Sequence, residues 1–324
     1  MAEEDSRRAN DSQDKPTDND DQYRPSEQTR PARHPATVRR YKENISVSAL
    51  RLHLLLISFG TGLLDAATYS DLGIFASNQT GNTIILLVEA INRANRSSNT
   101  SPSNADVLSV GISLASFLSF GLLFGQIGVS RFVGPRTRGW LIFSTFVQAA
   151  FLFIASLLVQ VGVLKVGADQ RDNQTSATLT VFLLAASAGV QVAMAKSVNV
   201  KEIPTAMLTS PYVDTLIDKS LFAFRIRGKD VASRNVRLGY FAFFASGTVV
   251  GAAARAYSGT ATVLWISFAL RSANLFYILV APGHTERHGK KDEKEEGEHR
   301  LEEKATTDPG DSGRAKGRRN DQGP

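Results

Sequence analysis

The chain has 324 residues, a formal net charge of +6, no cysteine and a mean hydropathy of −0.11. The lack of cysteine excludes disulfides, thiolate zinc sites, a thiol nucleophile and a palmitoyl anchor. The near-neutral hydropathy averages two compositions. Residues 1–50 hold 9 Lys/Arg and 10 Asp/Glu, and residues 282–324 hold 10 and 11. The 231 residues between them keep 18 basic and 10 acidic residues separated by long apolar runs, which excludes a soluble globular domain.

Residues 1–49 are rich in Asp, Arg, Asn, Gln, Ser and Pro and lack an apolar signal-peptide core. They are expected to be a disordered tail, because they cannot bury enough apolar surface to offset the entropy of ordering. The first apolar helix is then the insertion signal. Six segments have the roughly 20 residues needed to span a bilayer: 51–71, 107–129, 140–163, 179–200, 238–257 and 261–281. Trp140, Tyr240, Tyr257 and Trp265 fall near their ends and read as headgroup-layer anchors. Two further segments are interrupted. Residues 73–91 carry Ser77-Asn78-Gln79-Thr80-Gly81-Asn82, and residues 204–222 carry Pro204, Pro211, Asp214, Asp218 and Lys219. Residues 282–324 read as a second disordered tail, with a charged stretch from Lys290 to Lys304.

The two halves share landmarks. Gly62 matches Gly189, Thr80 matches Thr209, Gly121 and Gly125 match Gly247 and Gly251, and Trp140 matches Trp265, at offsets of 127, 129, 126, 126 and 125. The fold expected is an all-α polytopic membrane bundle of two related repeats, 50–163 and 179–281, with a tail at each end. If the interrupted segments do not cross, each half has three spans and the halves are inverted; if they cross, there are eight spans and the halves are parallel. Basic residues suit either arrangement. Burial of Asp214, Asp218 and Lys219 is costly in hydrocarbon, and the sequons at Asn95, Asn99 and Asn173 fall on the outer face only with six spans; both favour six.

Gly62-Leu63-Leu64-Asp65-Ala66, followed by Phe75-Ala76-Ser77-Asn78-Gln79-Thr80-Gly81-Asn82-Thr83, resembles the YoaK-like family of multi-pass membrane proteins, a domain of unknown function. The resemblance covers about residues 50–281. In the second half Gly189-Val190-Gln191 fits the family's Gly-Leu-Gln, whereas Thr209-Ser210-Pro211 departs from its Thr-Gly. The resemblance implies about six spans and supplies no substrate.

Asp65 is a carboxylate within the first span, and an intramembrane charge is a functional candidate. Arg271, halfway along the last span, is its expected partner by depth, while Lys196, Arg255 and Glu89 lie near helix ends. The run Asn78–Asn82 is expected to break its helix and face the protein interior, with Thr83–Val88 as a half-helix whose free amides favour an anion. The bland alternative is an ordinary N-cap by Asn78 or Thr80. The candidate binding residues are Asp65, Asn78, Thr80, Gly81, Asn82, Gln191, Thr209 and Arg271. No catalytic, metal or cofactor motif is found: there is no His-Glu-x-x-His, P-loop or Gly-x-Ser-x-Gly, and every histidine except His53 lies in a tail. The sequence therefore reads as a non-enzyme. The basic run Arg225–Arg237 fits anionic lipid or inner-face topology better than nucleic acid. Two functions remain: a permease for a small solute, an anion being one candidate, with its site at the broken segments, and a membrane scaffold whose glycines serve packing. Both tails are expected on the cytosolic side.

Overall fold

A computed structural model describes residues 40–95, 106–130, 133–164, 174–225 and 228–283. The expected tails fall almost wholly outside these residues, as do Arg227, the stretch Lys290–Lys304 and the sequon asparagines Asn99 and Asn173. The regular elements described are helices: α1 (Val47–Leu72), α2 (Gln79–Ala94), α3 (Val107–Val129), α4 (Arg138–Gln160), α5 (Gln174–Val198), α6 (Thr209–Leu216), α7 (Lys229–Ser258) and α8 (Thr260–Val280). Six of them, all but α2 and α6, are long and apolar enough to cross a bilayer.

Local chemistry sets the ends of α1. Ser46 caps it by accepting from the Ala49 amide (3.4 Å), and Gly73 closes it in the left-handed region (φ 66°), a conformation glycine adopts without steric cost. The most extensive helix pairings cross the two halves: α1 lies along α7, α3 along α5, and α4 against α5 and α8. Residues 50–163 and 179–281 are therefore interlocked.

Small residues make these crossings. A Cβ on Gly62 would lie 2.3 Å from the Phe244 carbonyl and 2.9 Å from the Thr248 amide; a Cβ on Gly189 would lie 2.5 Å from the Phe117 carbonyl and 3.1 Å from the Gly121 amide. Equivalent contacts thus recur at an offset of 127. This shifts the α3–α7 register by one residue from the glycine match, pairing Gly121 with Thr248 rather than with Gly247. Gly247 and Gly251 still press on α1, where a Cβ would meet Phe59 O at 2.0 Å and Leu63 O at 2.3 Å.

Hydrogen bonds at the helix ends fix the parity of crossings. The Ile45 amide donates to Arg136 O (3.1 Å), Arg136 Nε to Val198 O (3.0 Å) and the Ser46 amide to Pro282 O (3.2 Å). Buried Arg138 donates to Ile278 O (2.5 Å) and Ala281 O (2.8 Å), placing a cation on the carbonyl end of α8. The starts of α1 and α4 and the ends of α5 and α8 therefore share one face, so α2 does not cross and the described helices make six passes. At the opposite face Arg255 donates through Nε (2.8 Å) and Nη2 (2.7 Å) to Asp71, which also accepts from Thr260.

Both interrupted segments dip into the bundle. Ser77 returns to the level of Asp65, seven residues or about 10 Å short of the end of α1. From the basic face, Met207 reaches Tyr240 of α7, whose hydroxyl donates to its carbonyl (2.9 Å). The break in the first dip lies at 73–78, earlier than expected, and Gln79–Asn82 form the first turn of α2 behind an Asn78 cap (Gly81 N to Oδ1, 3.3 Å). Pro211 occupies the first turn of α6, where it removes no helical hydrogen bond, and the break there is 199–208, with Thr205 at φ 64°.

Two expected interfacial anchors are interior. Trp140 is 2 % exposed and donates to Ser197 Oγ (3.1 Å), and Tyr240 is fully buried. Helix α7 starts well before residue 238, so Arg234 and Arg237 are helical. Arg234 is buried and donates to the carbonyls of Ser220, Ala223 and Arg225, while Arg237 pairs with Asp218. The Ser220 hydroxyl, then its amide and the Arg237 guanidinium, hold the Asp218 carboxyl below the usual carboxylate range. Of that basic run's described side chains, exposed Arg225 is the one left facing outward.

Candidate functional site

The helical period places His53, Ile57, Thr61, Asp65 and Thr68 on one face of α1, and all five are buried. They border two connected polar clusters in the bundle interior.

In the outer cluster, Asp65 Oδ1 accepts from the Ser77 amide (2.8 Å) and Oδ2 from the Ser77 hydroxyl (2.6 Å). Thr68 Oγ1 accepts from the Ala76 amide (3.2 Å). Asn82, fully buried, closes the dip: it accepts from the Phe75 amide (2.9 Å) and donates to Phe75 O (2.8 Å) and to Ser113 of α3 (3.2 Å). Asp65 thus pins the dip to α1, and Asn82 holds its two ends together. An Asp65→Asn substitution keeps one acceptor and turns an amide toward a donor. Bonds to a charged group contribute about 1.5–3 kcal/mol each, so amide exchange at residues 74–79 should accelerate at least about tenfold. Exchange in α4 should stay unchanged. Equal protection of the dip in mutant and wild type would contradict the pinning role.

In the central cluster, Arg271 of α8 donates to Gln148 Oε1 of α4 and to Gln191 Oε1 of α5, both at 2.8 Å. Gln191 Nε2 donates to Thr61 Oγ1 of α1 (2.8 Å). Towards the basic face, His53 Nδ1 and Asn274 Oδ1 lie 2.9 Å apart, and Asn274 donates to His53 O (3.2 Å). Helices α4, α5 and α8 therefore meet at one guanidinium, and α1 joins them through Thr61 and Gln191. Arg271 is 4 % exposed and forms no ion pair among the described residues. The expected Asp65–Arg271 pair is not formed, because Asp65 is saturated by Ser77 and Arg271 by two carboxamides. The two residues are linked only indirectly, through Thr61, one turn before Asp65. The side chains of Gln148 (Nε2), Thr145 (Oγ1) and His53 (Nε2) each keep a buried polar atom without a partner.

Beside Arg271, between α1 and α8, lies a cavity lined by Gly60, Leu64, Ser267, Arg271 and Asn274 among others. It admits a single water-sized guest, with about 10 Å³ available to that guest's centre.

The structure divides the predicted set. Asp65, Asn82, Gln191 and Arg271 are buried in the two clusters. Asn78, Thr80 and Thr209 are exposed at helix starts, and Gly81 lies against the Phe75 ring, where a Cβ would approach to 3.0 Å. Gln148, Asn274, His53, Thr61, Ser77 and Ser113 were missed. Lone carboxamides inside apolar runs and the one-turn spacing of Thr61 and Asp65 were the available signals.

Six crossing helices around a buried polar interior define a multi-pass integral membrane protein. The family model for the protein of unknown function DUF1275 matches residues 53–277, and the chain belongs to that family. Neither curated proteins nor solved structures give a match.

Proposed function

We propose that the protein is a permease for a small anionic solute, with Arg271 as the group that receives the negative charge. The observation that carries this reading is a buried guanidinium in the middle of a span, held by neutral carboxamides and bordering a cavity. An arginine at the helix centre costs about 2.5–3.5 kcal/mol on insertion scales, and a charge left without a counter-ion is the expensive case. A solute anion would supply that counter-ion. The two dips from opposite faces support the same reading, since broken segments meeting between inverted halves are where transporters place their sites. The basic face is assigned to the cytosol because Arg40, Lys42, Arg51, Arg136, Arg138, Lys196 and Lys201 cluster there, whereas Arg93 and Arg255 lie opposite. The closeness to the YoaK-like group rests on Gly62–Ala66 and Phe75–Thr83.

Flux of small anions in liposomes carrying the purified chain tests the function, and protease protection of both tags in sealed right-side-out vesicles tests the orientation. Expected are protein-dependent anion flux and intact tags. Intact folding without flux of any small anion would leave the scaffold reading, in which the interlocked glycine crossings are the purpose of the fold.

A further inference from the structure

We infer that the anion held beside Arg271 is a monovalent ion of halide size, and that Gly60 sets the size limit. This rests on the permease reading and narrows its substrate. Ser267, Arg271 and Asn274 are spaced four and three residues apart, so one face of α8 presents them to the cavity. The Ser267 hydroxyl is spent on Val263 O (2.8 Å), and Asn274 donates to His53 O (3.2 Å). Arg271 is then the chief source of positive potential. The opposite wall is α1, where Gly60 lines the cavity and a Cβ added to it would meet no heavy atom within 4 Å. The missing side chain is therefore part of the space itself. This distinguishes Gly60 from Gly62, two residues on, whose Cβ would strike the α7 backbone.

Charge and volume lead to the same class. One guanidinium with no acidic partner among the described residues is neutralised by one negative charge. A dianion would leave an excess charge in a low-dielectric interior, at several kcal/mol. A space that just admits one water-sized guest fits fluoride, which is close to water in size, and chloride with a slight widening of the walls, and excludes sulfate, phosphate and carboxylate metabolites of several carbons. Few direct donors also suit passage, because conduction requires binding weak enough to release the ion.

The test uses full-length protein in detergent and in liposomes. Thermal unfolding is followed against fluoride, chloride, formate, sulfate and phosphate at constant ionic strength, with gluconate as the balancing anion. The wild type should be stabilised in a saturable way by halide and not by sulfate or phosphate. Gly60→Leu should weaken the apparent halide affinity at least tenfold, with Gly60→Ala intermediate. The control Gly239→Ala, on α7 where a Cβ also meets nothing within 4 Å, should match wild type. Stabilisation by sulfate or phosphate equal to that by chloride overturns the inference, as does a Gly60→Leu protein with unchanged halide response. The wild-type anion series decides the matter even if Gly60→Leu does not fold. Halide stabilisation without flux would retain the site and sink the permease reading. Flux of a larger solute without a halide response would retain the permease and sink the inference.

Discussion

Arg271→Gln should reduce anion flux in reconstituted liposomes by at least about 100-fold while leaving the bundle assembled. The functional loss follows from removing the buried cation that borders the cavity; losing one partner of a buried charge pair costs about 3–5 kcal/mol, or two to nearly four orders of magnitude. The structural effect runs the other way. Arg271 has no acidic partner among the described residues, so its removal abolishes a desolvation penalty and forfeits bonds to Gln148 and Gln191 that a glutamine can partly replace. Thermal stability should therefore change little. Arg271→Lys keeps the charge but cannot fork to both carboxamides, and should retain partial flux. Unchanged flux in Arg271→Gln would remove Arg271 from the site. A collapse of stability matching the loss of flux would make it a structural strut.

The second large effect is on assembly. Gly247→Val should destabilise the protein by about 3 kcal/mol or more, read as loss of monodisperse protein and a lower thermal midpoint. A Cβ there would lie 2.0 Å from Phe59 O and 2.8 Å from Phe59 C, backbone atoms that cannot rotate away, so α1 and α7 must separate. Gly125→Val is the matched control: a Cβ at Gly125 meets no heavy atom within 4 Å, although this glycine too belongs to a Gly-xxx-Gly step. Equal stability of the two variants would contradict the packing described for α1 and α7.

Much of the architecture was legible because membranes simplify the code. Runs of apolar residues of bilayer length located the six spans, and the polar interruptions located both dips. The limits lay where a residue's neighbours come from distant sequence. Asp65 and Arg271 sit at plausible depths for a pair, yet Ser77, brought back by the dip, satisfies the carboxylate instead. Trp140 and Tyr240 fall near span ends by count but pack inward, because Ser197 and Met207 O offer their polar atoms partners there. The break lies at 73–78, a few residues ahead of the polar run, because Asn78 serves as a cap and the run starts a helix rather than ending one. Gln148 and Asn274 were passed over because a single carboxamide in an apolar run gives no sign of what it faces. The choice between six and eight spans, open on charge alone, is decided by hydrogen bonds from the start of α1 to the start of α4.

The claim that a solute's negative charge rests at Arg271 is tested most directly by locating a halide in the folded protein. Crystals of the full chain grown in chloride, measured at a long wavelength where chlorine scatters anomalously, should show an anomalous peak in contact with the Arg271 guanidinium, in the cavity beside Gly60, and that peak should be lost in Gly60→Leu. Chloride peaks confined to the outer surface, or a carboxylate seated against Arg271 as its permanent counter-ion, would contradict the account.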